Sequence, residues 1–260
     1  MDSTTHTFYP IHGMDSRKHL DAYYSNKEDM VFAEDSLKFP MANLHYQLSS
    51  GRVEGTLLID ISVGSFIHHL YSASNSFKKI VILKFREKCI MEMSRWLHDR
   101  TGAYDWSHTS SAAAELEGTR DQLQEKEMRL RSSIMQILKY DFEQENITSP
   151  VLLPLADCII SAWLLEAISQ SEDEYMKNLE KVSKLLKPGG HLLLIGTLDA
   201  TYVVVGEERL HCFKYNEDFV KNILGKLDFV IDYCAVQRRR NVSDLTDYNA
   251  IIFVVARKGP

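Results

Sequence analysis

Two residues on neighbouring strands carry the chemistry of this chain, and they are of opposite charge. Asp60 closes an apolar run, Leu57-Leu58-Ile59-Asp60, and is followed by Ile61-Ser62-Val63-Gly64 and the segment Phe66–Tyr71. An acid at a strand end, a turn with glycine and a helix start form the grammar of an α/β ligand site, where bare backbone N–H groups meet a bound group. Such a turn commonly uses two or three glycines for close approach. This one holds Ser62 and Val63 before its single Gly64. The next strand, Lys79–Leu83, ends in Lys84, followed by Phe85 and Arg86. Nucleotide sites place an acid at that point to accept from ribose hydroxyls. An ammonium has donors and no acceptor, so Lys84 cannot do that work, and the simpler reading is a solvated lysine at a strand end in a protein that binds no nucleotide.

Lesser candidates stand beside these. Asp141, after the third strand region, is placed either to accept from an adenine amino group or simply to hold a turn. Tyr23 and Tyr24 are adjacent on a helix, either as lid residues over a pocket or divided between core and surface. His68, His69, His191 and His211 have no metal-ligand spacing, and Arg238-Arg239-Arg240 reads as a solvated loop face.

The elements that position these groups alternate. Ser16–Ser25 reads as a helix capped by Ser16, and Met30–Ser50 as a longer helix interrupted at Pro40. Strands are expected at 56–61, 79–83, 137–142, 156–163 and 191–196. Helices are expected at 86–100, 119–138 and 172–186, the last stopped by Lys187-Pro188-Gly189-Gly190. Tyr202–Val205 and Glu208–Phe213 read as a hairpin about Gly206-Glu207. A helix over 216–224, capped by Asn216, precedes strands at 229–236 and 250–256. Strands separated by helices imply an α/β fold with a mostly parallel sheet covered on both faces.

With 260 residues, 45% apolar and 25% charged, the chain has length for a large core, and no linker or repeat divides it. One domain, 1–260, with residues 1–50 as an N-terminal cap, is the expectation. A net charge of −6 argues against a nucleic-acid or acidic-membrane partner. Cys89, Cys158, Cys212 and Cys234 are too dispersed for a zinc site or disulfide framework. Met1–Asp15 lacks the apolar core of a leader, and no run reaches the length of a membrane span. A cytoplasmic protein is expected, its two glycosylation-type triplets at Asn146 and Asn241 being chance matches.

Several stretches taken together resemble the nicotinamide, phenylethanolamine and indolethylamine (thioether) N-methyltransferases. They are His19-Leu20-Asp21-Ala22-Tyr23-Tyr24, Leu57–Gly64, Tyr104-Asp105-Trp106-Ser107, Leu116-Glu117-Gly118, Leu138-Lys139-Tyr140-Asp141, Ala156-Asp157-Cys158, Leu185–Gly190, Val205-Gly206-Glu207 and Val255–Lys258. The resemblance spans nearly the whole chain. It implies a class I methyltransferase (Rossmann-like) fold with seven strands and an N-terminal helical cap, S-adenosylmethionine as cofactor, and a small amine or pyridine nitrogen as acceptor. It places Tyr23, Tyr24, Asp60, Gly64, Asp141 and Phe142 at cofactor positions, and Tyr23, Leu165, Thr197 and Asp199 about the acceptor.

The departures fall on the cofactor contacts. Ser62 and Val63 stand for a glycine and a serine, Lys84 for the ribose acid and Cys89 for an asparagine. His19 and His68 each stand for a tyrosine, Thr197 for an acid, and Leu164-Leu165-Glu166 for Cys-Leu-Asp. Two readings follow. In one, cofactor binding is lost or weakened and the protein is a non-catalytic binding or structural protein. In the other, it is an active N-methyltransferase in which neighbouring groups replace the lost contacts. The oligomeric state stays open.

Overall fold

The computed structural model describes residues 6–27, 30 and 32–260. The first five residues of the expected N-terminal arm, and Val31 within the expected helix 30–50, lie outside that set. The helices are α1 Tyr9–His12, α2 Ser16–Tyr23, α3 Phe39–Ser49, α4 Ala73–Ser76, α5 Glu87–Leu97, α6 Ser107–Leu116, α7 Leu123–Ser133, α8 Leu165–Ile168, α9 Glu172–Ser183 and α10 Glu217–Lys226. The strands are β1 Gly55–Asp60, β2 Phe77–Lys84, β3 Ile134–Lys139, β4 Ala156–Ala162, β5 Leu186–Leu198, β6 Tyr202–Val205, β7 Glu208–His211, β8 Phe229–Arg238 and β9 Ala250–Lys258.

Seven strands form one sheet in the order β3-β2-β1-β4-β5-β9-β8. The first five run parallel, and β9 joins β5 and β8 antiparallel. This is the seven-stranded class I methyltransferase arrangement the sequence implied. β6 and β7 make the expected hairpin, outside the main sheet. The chain's progression reverses between β1 and β4, so the crevice at their carboxyl ends is the switch point where such sheets receive ligands. Asp60 is the last residue of β1 and Lys84 the last of β2, which brings both to that crevice.

Several boundaries differ from expectation. α2 is capped by Asp15, whose carboxylate accepts from the Lys18 N–H, and not by Ser16. The expected 30–50 helix does come in two pieces at Pro40, a π-turn at Ala33–Lys38 and then α3, with the proline in the first turn of α3, where its missing N–H costs no helical bond. The apolar periodicity that carried a helix to residue 138 is cut at Ser133, because Ile134–Lys139 pairs in parallel with β2. Lys187–Gly190 ends α9's approach but does not delay the strand: β5 begins at Leu186 and crosses it with a register shift against β4. Phe66–Tyr71 forms only a three-ten turn at His68–Leu70.

The start of β1 is tied down by one carboxylate. Asp157 accepts from the Thr56 and Leu57 N–H groups at 2.8 and 3.0 Å, and its other oxygen meets Lys187 Nζ. Asp157→Ala leaves two backbone donors without this acceptor. It is expected to cost about 1–3 kcal/mol, read as a shift in the urea midpoint; a loss below about 0.5 kcal/mol, the usual range for a neutral surface change, would show the carboxylate is dispensable.

Candidate functional site

Asp60 is fully buried, and three groups of this chain converge on its carboxylate. Ser62 Oγ donates to Oδ1 at 2.6 Å, and His69 Nε2 lies 2.7 Å from the same oxygen, which fixes the ring proton on that nitrogen. Lys84 Nζ donates to Oδ2 at 3.1 Å and to the Ser62 carbonyl at 2.9 Å. The lysine is 1% exposed, so its ammonium points into the turn and not to solvent. Burial alone would raise the Asp60 pKa, but Lys84 and His69 outweigh it and hold the carboxyl far below the usual range. The Lys84 charge also lies over the Phe66 ring, 5.7 Å from its centre. Ser62, the extra side chain in the turn, has a structural use: its Oγ accepts from the Ala162 N–H at 3.0 Å and so fastens the turn to β4.

The N-terminal cap closes over this turn. Gly64 adopts φ +65°, and a Cβ built there would lie 2.7 Å from His19 Nδ1 and 3.0 Å from Met14 Cε. The position needs glycine for its backbone angle, and the space above it is taken by the cap. Tyr9 packs its ring on Phe85 at 5.9 Å, and Phe85 in turn meets Tyr140 at 5.7 Å. Arg86 Nη2 donates to the carbonyls of Tyr9 and Pro10 and holds that segment in place. Cys89 is buried beside the Tyr9 phenol, and burial raises the pKa of both groups. Asp141 spans a turn, its Oδ1 accepting from the Glu143 N–H at 2.9 Å. Phe142 stacks edge-on against Tyr140 at 5.2 Å.

Under the cap, and bordered by Tyr9, Met14, His19 and the turn residue Val63, lies a small cavity of about 90 Å³, whose walls also include Tyr23, Tyr24, Trp163, Glu166, Thr197 and Tyr248. Tyr23 and Tyr24 are both buried and both line it, so the pair does not divide between core and surface. The Tyr23 hydroxyl donates toward the Val204 and Leu245 carbonyls, fastening the cap to the β6–β7 region. Glu166 Oε1 accepts from the Thr197 N–H and Oγ at 2.9 and 3.2 Å, while Oε2 is buried without a partner. Burial pushes the Glu166 carboxyl up to about 7. A second carboxylate, Asp35, accepts from Tyr248 OH and Gln237 Nε2, each at 2.6 Å. The walls carry two carboxylates and no lysine or arginine among the described residues. His19, also in the wall, is held to about 4 by burial and by the Lys84 charge, so it is neutral at pH 7.

The expected acceptor-side residues are thus only partly gathered. Tyr23 and Thr197 line the cavity. Leu165 is buried in α8, and its neighbours Glu166 and Ala167 are the ones that face the space. Asp199 sits at φ +62° outside the cavity, with its carboxylate accepting from Asn249 Nδ2 at 3.2 Å. Glu166 is the wall residue least weighted from sequence. Its signal is a single acid inside the apolar run Ala162–Ile168. Asp35 and Tyr248 are 213 positions apart and gave no local signal.

A model of the NNMT/PNMT/TEMT family matches residues 6–259. The rabbit (Oryctolagus cuniculus) indolethylamine N-methyltransferase is 33% identical over 244 residues, covering 94% of this chain and 93% of that protein. Human nicotinamide N-methyltransferase is 31% identical over 242 residues, 93% of this chain and 92% of that protein. Among solved structures, the fold is similar to magnesium protoporphyrin IX methyltransferase from Synechocystis with bound S-adenosylmethionine, at TM-score 0.59 and 13% identity, covering 96% of this chain and 93% of that one. The N-methyltransferase NodS from Bradyrhizobium japonicum, in complex with S-adenosylhomocysteine, gives TM-score 0.53 at 12% identity, covering 95% and 100%.

Proposed function

The chain belongs to the NNMT/PNMT/TEMT family, and from that premise we propose that it has kept an acceptor-side cavity and given up S-adenosylmethionine. On this reading it is a non-catalytic binding protein for a small organic cation. The observation that carries the proposal is the Lys84 ammonium, buried in the turn and bonded to Asp60 and the Ser62 carbonyl. At the strand end where ribose hydroxyls seek an acceptor there is a donor with a positive charge. The Asp60 carboxylate is already met by Ser62, His69 and Lys84. A sulfonium brought near that ammonium would be repelled by it, and just beyond the end of β2 the Tyr9, Phe85 and Tyr140 rings pack on one another. These residues do not fit the cofactor.

The ligand class follows from the cavity. Two carboxylates, no cationic side chain and the rings of Tyr23, Tyr24, Trp163 and Tyr248 suit a compact cation. The free Glu166 oxygen is the acceptor such a ligand would meet. The same cavity is what favours the second reading, an active small-amine N-methyltransferase, since an acceptor site is of use to a donor.

Thermal shift separates them, because a ligand that binds only the native state raises the melting point. S-adenosylmethionine and S-adenosylhomocysteine at millimolar concentration are expected to leave it unmoved. Phenethylammonium is expected to raise it, more at pH 8 than at pH 6, because Glu166 ionises through about 7. Glu166→Gln is expected to remove that pH dependence. A shift with either cofactor form supports the enzyme reading; no shift with the cation at either pH contradicts the proposed ligand.

A further inference from the structure

Four histidines meet at the joint between the N-terminal cap and the sheet. His19 comes from α2, His68 and His69 from the three-ten turn after β1, and His108 from α6. They surround two rings. His19 lies 5.4 Å from the Tyr24 ring and 6.4 Å from Phe66. His68 lies 5.2 Å from Tyr24, 5.3 Å from Phe66 and 5.6 Å from His69. Trp106 bridges His68 and His108 at 6.3 and 6.1 Å. His108 Nε2 is 2.8 Å from the Tyr24 carbonyl, at the end of the cap helix.

The cluster has little to balance added charge. His68 is 1% exposed with neither ring nitrogen in a formed hydrogen bond, the Ser36 backbone being the one uncharged polar group beside it that favours its proton, and His19 Nδ1 is buried and unpartnered. The charged group acting on His19 is Lys84, which is itself a cation. Those acting on His68 are His69, His108 and the Asp60 carboxylate, and Asp60 is already engaged by Lys84. Glu166, in the same cavity wall as His19, has Oε1 held by Thr197 and Oε2 without a partner, but it is not among the groups acting on either ring, and Asp35 is held by Gln237 and Tyr248. Protons added to His19 and His68 meet no carboxylate beyond the engaged Asp60, and they land on the contacts that seat the cap.

We propose that this cluster is an acid-sensitive latch: protonation of His19 and His68 releases the cap, residues 7–24, and opens the cavity. The direction follows from linkage. An opened cap returns each ring to water, where it titrates near 6.5, while closure holds His19 at about 4 and His68 well below its ordinary value. The open form therefore binds more protons as pH falls below 6.5, and the closed form loses ground down to about 4. For His19 alone, the open-to-closed ratio rises about thirty-fold between pH 7.5 and pH 5, and His68 multiplies it. The latch is independent of whether the cofactor binds, since it is read on the ligand-free protein.

Hydrogen exchange at pH 7.5 and 5.0, corrected for intrinsic rates, tests this. The cap amides of residues 7–24 are expected to gain opening by thirty-fold or more at pH 5, while β5 and β9 stay protected. His19→Phe combined with His68→Tyr is expected to keep the cap closed at pH 5. Unchanged cap protection in the wild type overturns the proposal, as does equal opening in the double variant. Should that variant fail to fold, histidine NMR titration of the wild type decides: either ring protonating near 6.5 with the cap still protected overturns the latch.

Discussion

Lys84→Met is expected to lower the unfolding free energy by about 3–5 kcal/mol, the usual cost of removing one partner from a buried ion pair. The reason is local. Asp60 is fully buried, and the lysine supplies the ammonium that keeps it ionised. Without it the carboxylate keeps Ser62 and His69 but loses its nearest full charge, and the Ser62 carbonyl loses its donor. Asp60→Asn is expected to cost a similar amount by stranding the ammonium. The double variant Lys84→Met with Asp60→Asn is expected to lose clearly less than the sum, because neither charge is then left alone. Urea unfolding of the three variants gives the coupling. Single losses within about 1 kcal/mol, adding without coupling, would mean that the pair is not what holds the turn.

Phe66→Ala is expected to cost about 3–5 kcal/mol, the range for emptying an aromatic site in a packed core. Phe66 is fully buried and lies at the centre of the joint. Tyr24 stacks on it at 4.9 Å, Trp163 meets it edge-on at 5.5 Å, His69 at 5.0 Å, and the Lys84 charge sits over it. Its loss removes the surface on which the cap rests as well as volume. Hydrogen exchange in Phe66→Ala is therefore expected to rise first in residues 16–24, ahead of the central strands. Phe66→Leu, which keeps much of the volume, is expected to lose less than half as much. Uniform exchange across cap and sheet would contradict this placement of the ring.

The strand order and the acid at the end of β1 were legible because both rest on local patterns: apolar runs, a turn glycine and breakers between them. The position of Lys84 was legible for the same reason, but its direction was not. Whether a lysine at a strand end turns outward or inward depends on a partner 24 positions away, and only the fold brings Asp60 within 3.1 Å. The boundary between α7 and β3 failed because one stretch satisfies both periods, and pairing with β2 decides. Lys187–Gly190 misled because a breaker can also serve as the irregular opening of a strand. On the acceptor side, Leu165 and Asp199 were placed by the family resemblance, while Glu166 of α8 is the one that lines the cavity. Asp35 with Tyr248, and His19 over Gly64, join the cap to the sheet through long-range contacts for which a sequence read in windows has no sign.

Calorimetry with S-adenosylhomocysteine and S-adenosylmethionine on the wild type, beside the variant Lys84→Asp with Ser62→Gly, tests the central claim most directly. The wild type is expected to give no binding heat up to millimolar ligand. The double variant, where it folds, is expected to bind measurably, since it replaces the misplaced cation with an acceptor and frees the turn. Micromolar binding of either ligand by the wild type would contradict the account, for it would show that a buried ammonium bonded to Asp60 is compatible with the cofactor after all.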